Sequence, residues 1–379
     1  MKVLQTVIRP ADGDGTDFSA LSAIEPNLVL AFGAVDALQN AAQAIAHAFP
    51  HAHRAGCSTA GEISVQGVED GTLVVTALHF DHTRVFQVST VLGSMDDSFA
   101  AGRRLASSLP VVGLRAILIF GQGVQINGSA LLAGMAEMVG TAIPITGGLA
   151  GDGGAFAQTW VLDDKGVSHN RVTCVGLYGQ ALSFAHGSFG GWTPFGPARK
   201  VTRCDHNVLY ELDGESALAV YKRYLGEHAQ GLPASGLLFP FSMLGNDHTE
   251  VGLIRTILGV DEAHGSLTLA GDIDPEGYLR LMHSSTDALV EGAEAAAEAA
   301  KAMQTHGGDG LALLVSCVGR KLVMGGRVDE EVEAVGEVFG QGATLAGFYS
   351  YGEISPFSPA VACKLHNQTM TITYMSEAA

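Results

Sequence analysis

Positive charge is scarce in this chain. Lys and Arg number 21 against 39 Asp and Glu, giving a net charge of −18, and no basic block is longer than Arg103-Arg104. Binding to a phosphate backbone or an anionic lipid surface rests on basic groups, so no nucleic acid and no membrane is expected as a partner. Cysteine is also sparse: residues 57, 174, 204, 317 and 363 are odd in number, far apart, and form no Cys-x-x-Cys. A disulfide framework or a thiolate metal site is therefore not expected, and a reducing compartment fits. Missing too are a basic start followed by an apolar stretch, and any apolar run near the ~20 residues that span a bilayer. A cytoplasmic protein is the expectation. Asn127-Gly128-Ser129 matches a glycosylation triplet, a chance match in that setting.

What the chain does have is apolar mass and glycine. Hydrophobic residues make up 47% and charged residues 16%, the balance of a well-buried globular protein. The 49 glycines keep no short period and read as turns and tight corners. A length of 379 residues is long for one core, so two domains are expected.

One phrase occurs three times. Gly56-Cys57-Ser58-Thr59-Ala60-Gly61-Glu62-Ile63-Ser64 returns as Gly347-Phe348-Tyr349-Ser350-Tyr351-Gly352-Glu353-Ile354-Ser355, with a looser copy at Thr146-Gly147-Gly148-Leu149-Ala150-Gly151-Asp152. Each follows a short apolar run and sets a glycine directly before an acid. Around the last two copies a longer plan repeats: strand, helix, buried strand, helix, strand, corner, hairpin. In the middle copy the pieces are Arg84 to Val91, Asp96 to Leu109, Arg115 to Phe120, Ser129 to Val139 and Ala142 to Ile145, then strands Phe156 to Leu162 and Arg171 to Tyr178. In the last they are Tyr278 to Met282, Thr286 to Met303, Leu311 to Cys317, Asp329 to Phe339 and Thr344 to Ala346, then strands Ala360 to Leu365 and Thr369 to Met375. The first copy reads as partial, from the buried run Asn27 to Phe32 and the helix Val35 to Ala48 to the strand Thr72 to Phe80. The stretch from Ala185 to Ser284 differs, opening with a glycine- and proline-punctuated segment that reads as loop or irregular strand. The pattern predicts an α/β fold of mixed sheets, built from repeated strand–helix–strand–helix–strand units with trailing antiparallel hairpins, in two domains. Residues 1–26 read as an extension, 27–220 as the first domain and 221–379 as the second.

With these segments laid out, the chain resembles the FIST family, paired N- and C-terminal sensory domains of signal-transduction proteins. The residues that carry the resemblance are 56–62, Gly147-Gly148-Leu149-Ala150-Gly151-Asp152 and Asn207-Val208-Leu209-Tyr210-Glu211-Leu212-Asp213-Gly214. In the second half they are Arg255-Thr256-Ile257-Leu258-Gly259-Val260-Asp261, Ser316-Cys317-Val318-Gly319-Arg320, 348–354 and His366-Asn367-Gln368-Thr369. The resemblance runs from about Asn27 to Met375. It implies a sensor of a small ligand, an amino acid or a derivative. Some members resemble haem proteins that sense nitric oxide and report to a histidine kinase or a cyclic-di-nucleotide enzyme. Nothing beyond the FIST pair is read here, so a signalling partner protein is expected to carry the output.

Several residues are candidates for the ligand cleft. Arg320 stands in a loop after a buried strand, where open α/β sheets bind ligands, and its planar fork suits a carboxylate; the bland alternative is an arginine paired with a helix acid at the surface. Cys317 is a candidate nucleophile or an apolar packing residue. Glu62, Asp152 and Glu353 are candidates to receive an amine or hydroxyl, or else cap their own turns. Tyr349 and Tyr351 frame Glu353 as pocket walls. His366, in the turn His366-Asn367-Gln368, is a binding candidate beside that corner. Arg255 adds a second positive charge, or pairs on the surface.

The fourteen histidines invite a metal or haem reading. His47 with His51 and His53, and His79 with His82, lack a third ligand at motif spacing, so no metal site is expected. A haem needs one axial imidazole, which leaves His186, His248, His264 and His283 as candidates for noncovalent haem. No Gly-Lys-Ser, dinucleotide fingerprint or Gly-x-Ser-x-Gly elbow appears. The expectation is a small-ligand sensor that is not an enzyme; the alternatives are a haem-based nitric-oxide sensor and an enzyme using Cys317.

Overall fold

The computed structural model describes residues 1–10, 17–305, 309–356 and 363–378. Its frame is a unit used three times. The first unit runs β1 (Lys2–Ile8), α1 (Ser19–Ser22), β2 (Leu28–Gly33), α2 (Val35–Ala48), β3 (His53–Ser58), a hairpin of β4 (Glu62–Ser64) and β5 (Gly67–Glu69), and β6 (Leu73–His79). The second runs β7 (Arg84–Val91), α3 (Ser98–Ser108), β8 (Leu114–Gly121), α4 (Gly128–Val139), β9 (Ile145–Leu149), a hairpin of β10 (Val161–Asp163) and β11 (Gly166–Ser168), and β12 (Arg171–Tyr178). The third opens with β13 (Leu182–Phe189), leaves for nine strands, β14–β22, between Thr193 and His283 with helix α5 (Ala217–Leu225), and then resumes. It continues with α6 (Thr286–Ala302), β23 (Gly310–Cys317), α7 (Val318–Met324), α8 (Asp329–Phe339), β24 (Ala343–Ser350), a hairpin of β25 (Gly352–Pro356) and β26 (Cys363–His366), and β27 (Met370–Glu377).

Each unit supplies four strands of a six-stranded sheet, in which a parallel pair (β2·β3, β8·β9 or β23·β24) is flanked by antiparallel strands. The hairpins are exchanged in a ring. After β3 the chain crosses to pair β4 with β24, after β24 it pairs β25 with β9, and after β9 it pairs β10 with β3. The repeated phrase is the crossing point. Its first glycine stands at the same place in each parallel pair: a Cβ on Gly56, Gly147 or Gly347 would lie 1.8, 2.0 or 1.8 Å from the carbonyl oxygen of Ala31, Ile119 or Leu314. Only glycine permits that approach.

Strand alternation sorts the core into layers. Inward residues of the three sheets, among them Leu28, Leu30, Leu118, Leu313 and Val315, share one central cluster. At its heart Phe32 lies 5.4 Å from Phe120 and 4.7 Å from Phe348 between ring centroids. Outward residues pack under helices: Val29 and Ala31 under α2, Ile117 and Ile119 under α3 and α4, Ala312 and Leu314 under α6 and α8. The nine-stranded insert has a separate core around Leu209, Tyr221 and Leu267.

The α/β class with mixed sheets and trailing hairpins is the predicted one; the exchange of those hairpins between sheets was not expected, and three assignments are corrected. Residues 2–8 are not part of an extension; they form an edge strand paired with β6. The strand that opens the third unit is β13, paired with β27, whereas residues 278–283 belong to the insert. The segment after Cys317 is a helix, not a loop. The expected strand residues 360–362 lie outside the described residues.

Candidate functional site

The exchanged hairpins bring all three corners together. Ala60 N–H donates to Tyr349 O (2.8 Å), Tyr351 N–H to Leu149 O (3.2 Å) and Gly151 N–H to Ser58 O (2.9 Å). Two corners carry the same polar latch. At the first, Thr59 Oγ1 donates to Glu62, and Thr72 donates to its other oxygen through N–H and hydroxyl, both at 2.9 Å. At the third, Ser350 Oγ donates to Glu353 (2.7 Å), and Thr369 donates through N–H (3.2 Å) and hydroxyl (3.0 Å). Sheet register gives Val161 the matching place at the second corner. Asp152 lies ahead of it in an inserted turn, where its carboxylate takes the N–H groups of Phe156, Ala157 and Gln158.

A cleft of about 1070 Å³ lies at the first corner, beyond the carboxyl ends of β2 and β23. One wall is the start of α2, where Ala34 is the N-cap and no side chain caps the first turn. The floor includes residues 59–62, and the far side holds Asp70, residues 152–154, Val318 and Lys321. Lys321 Nζ donates to Ala60 O (2.9 Å) and to Asp70, and stands 5.4 Å from the centre of the Tyr349 ring. Gly61, at φ 138°, leaves room for that ammonium, since a Cβ there would be 2.4 Å from Nζ. Burial raises the Glu62 pKa above the ordinary carboxylate value, although the hydroxyl and amide donors hold it back.

Of the eight expected binding residues, Glu62 alone lines this cleft. Arg320 is fully buried and its fork is filled. Nε and Nη2 donate to Glu331 Oε2 at 3.1 and 2.7 Å, Nη2 also to Leu289 O at 2.8 Å, and Nη1 to Gly190 O. Its partner is a helix acid, as in the bland alternative, but inside the protein rather than on the surface. Tyr349 donates to that same carboxylate (2.6 Å) and has no exposed surface. Tyr351 donates to Asp152, accepts from the N–H groups of Asp152 and Gly154, and stacks on Phe156 at 4.1 Å.

Glu353 does meet His366 across β25 and β26, as expected, but without a cleft. Both are buried: Glu353 has its pKa pushed up to about 8 by desolvation, and His366 has its pKa pushed down to about 4 by the same cause. His366 Nε2 faces Ser355 O at 2.9 Å. Arg255 is also buried, bonding the carbonyls of Asp272 and Leu365. Cys317 is buried and its pKa is raised, first by desolvation and then by Glu353, which removes it as a nucleophile. These seven positions lie outside the cleft, and the charged and tyrosine side chains among them bond to groups of the protein itself.

Sequence reasoning missed Lys321, Asp70 and the start of α2. Lys321 had one signal, its place beside Arg320 after the buried run. Among the described residues no group of three or more His, Cys, Asp or Glu side chains is placed to hold a metal ion. Of the four histidines raised for haem, His186 is buried in β13, while His248, His264 and His283 are exposed on the insert. Among the described residues no helix is long and apolar enough to cross a membrane.

Against known proteins, the family model described as FIST N domain matches residues 27–215, and the one described as FIST C domain matches residues 217–356. No curated protein matches the sequence. Solved structures that match include a cyanuric acid hydrolase from A. caulinodans, 10% identical over 100% of this chain and 99% of that one, with a TM-score of 0.37. Another, titled for evolutionary innovation of cyanuric acid hydrolase by structural concatenation, is 10% identical over 99% of both chains, at 0.35. The expectation of a non-enzyme is corrected by this finding: the solved structures that match are of a protein described as an enzyme. At those scores the likeness assigns neither a reaction nor a residue.

Proposed function

The chain belongs to the FIST family, whose domains are sensory domains of signalling proteins, and from that premise we propose that it senses a small polar metabolite in the first-corner cleft. The class of ligand is an amino acid or a close derivative, and the signal passes to a partner protein. The observation that carries this reading is the convergence, around one opening of about 1070 Å³, of the Glu62 corner, the uncapped start of α2 and Lys321. A zwitterion needs groups of both signs. The lining offers Lys321 and the first-turn amides of α2 on one side of the ledger, with Asp36 and Asp70 on the other.

A thermal-shift screen of amino acids, nucleobases and haemin tests this. A ligand held by the folded state alone raises the melting temperature, by about 2.7 kcal/mol of stability at a hundredfold excess over Kd. An amino acid is expected to give the shift, and Asn40→Trp, which places an indole in the cleft from the exposed side of α2, is expected to abolish it. No shift from any amino acid, or a shift that survives Asn40→Trp, overturns the reading.

A further inference from the structure

The short helix α7 touches three parts of the molecule through three consecutive residues. Lys321 reaches the cleft, donating to Ala60 O and Asp70. Arg320 holds both connections of the nine-stranded insert: Gly190 O, where the chain leaves β13, and Leu289 O (2.8 Å), in the first turn of α6 where it returns. Gly319 lies against Gln368, so closely that a Cβ would sit 2.4 Å from Gln368 Nε2. That Nε2 in turn donates to Leu237 O (2.9 Å) and Thr256 Oγ1 (3.1 Å) of the insert, while Trp192 Nε1 donates to Gln368 O (2.7 Å).

The two ends of this chain of contacts differ in strength. Asp70 is 71% exposed, so its pairing with Lys321 is readily exchanged for a ligand group. Arg320 and Glu331 have no exposed side-chain surface, so they move with the helix or not at all. We propose that α7 couples occupancy of the cleft to the docking of the insert, making the insert the part of the molecule that responds. An anionic group entering the cleft would take Lys321 from Asp70, tilt α7, and shift Gly190, Leu289 and Gln368 together. This rests on the cleft being the ligand site, but its test uses no ligand, so the two ideas fail separately.

Hydrogen–deuterium exchange on the full chain reads the coupling. Lys321→Met cuts the cleft end of the link. It is expected to speed exchange in residues 190–194 and 234–257 by roughly 2- to 30-fold, the range of couplings carried through packed networks, with β1 and β6 unchanged. Lys321→Arg, which keeps donors toward Ala60 O and Asp70, is expected to restore the native rate. Asn40→Ala, on the opposite wall, is expected to leave the insert unaffected. Trp192→Phe cuts the other end and is expected to speed exchange at the Ala60 amide, since coupling between sites is reciprocal. Unchanged exchange in the insert after Lys321→Met overturns the proposal, and so does an equal rise throughout the chain.

Discussion

The Glu62 corner and the Glu353 corner are built alike and placed differently. Both set a glutamate after a glycine, both give one oxygen to a hydroxyl three residues back, and both give the other to a threonine at the start of the next long strand. At the first corner the latch faces a cleft. At the third, the insert lies over it through Arg255, which bonds Leu365 O, and Gln368, which bonds Leu237 O. The lesson is that a latch of this kind is architecture first: it closes the crossing of an exchanged hairpin. Ligand access depends on what covers it.

Charge removal should separate the two most. Arg320→Ala leaves Glu331 buried without its partner and is expected to cost about 3–5 kcal/mol, read from urea unfolding. Lys321→Met, the next residue but facing the open cleft, is expected to cost less than about 1 kcal/mol, since Asp70 is left in water. Equal costs would break the contrast between a closed corner and an open one.

The pH dependence comes next. The folded pKa of Glu353, about 8, lies above its ordinary 4.5, so between those values the folded chain keeps a proton that the unfolded chain has lost. Stability therefore falls as pH rises through that window, by up to about 1.4 kcal/mol per pH unit. Glu353→Gln deletes this slope. His366 acts oppositely, since its folded pKa of about 4 makes stability rise with pH up to about 6.5. The difference between wild type and Glu353→Gln, measured by unfolding from pH 5 to 8, cancels the histidine. Glu62→Gln is expected to show the same sign less strongly, because Glu62 borders the cleft. A larger slope for Glu62 would reverse the assignment of which corner is dry.

Hydroxyl removal is the finest comparison. Ser350→Ala leaves a buried carboxyl short of a donor, at about 1–3 kcal/mol. Thr59→Val is expected to cost less than about 1 kcal/mol, because water in the cleft can replace the hydroxyl.

Much of the frame was legible because period and burial agree. Helix α2 was expected over Val35 to Ala48 and is found there, and β7, β12 and α8 likewise match their expected spans. What escaped was contact between distant segments. The end of β13 fell in the glycine- and proline-punctuated stretch read as loop or irregular strand, yet a Cβ on Gly187 would lie 2.0 Å from Ala296 O, so that glycine marks a strand pressed against α6. The insert then separates β13 from α6 in sequence, and a strand of the insert took its place in the reading. The third corner looked richest because two tyrosines and a histidine surround it. Side-chain identity cannot show that Glu331 had already claimed Arg320 and Tyr349, an acid eleven residues from one and eighteen from the other. Nor does the spacing of Lys321 announce that an exchanged hairpin brings the first corner beneath α7.

The contrast between the corners is tested most directly by a crystal structure of the protein with the amino acid that gives the largest thermal shift. Density bounded by the first turn of α2, residues 59–62 and Lys321 is the expected result, with the Glu353 corner still covered. Ligand density against Glu353 and His366, with the insert displaced and the first-corner cleft empty, would contradict it.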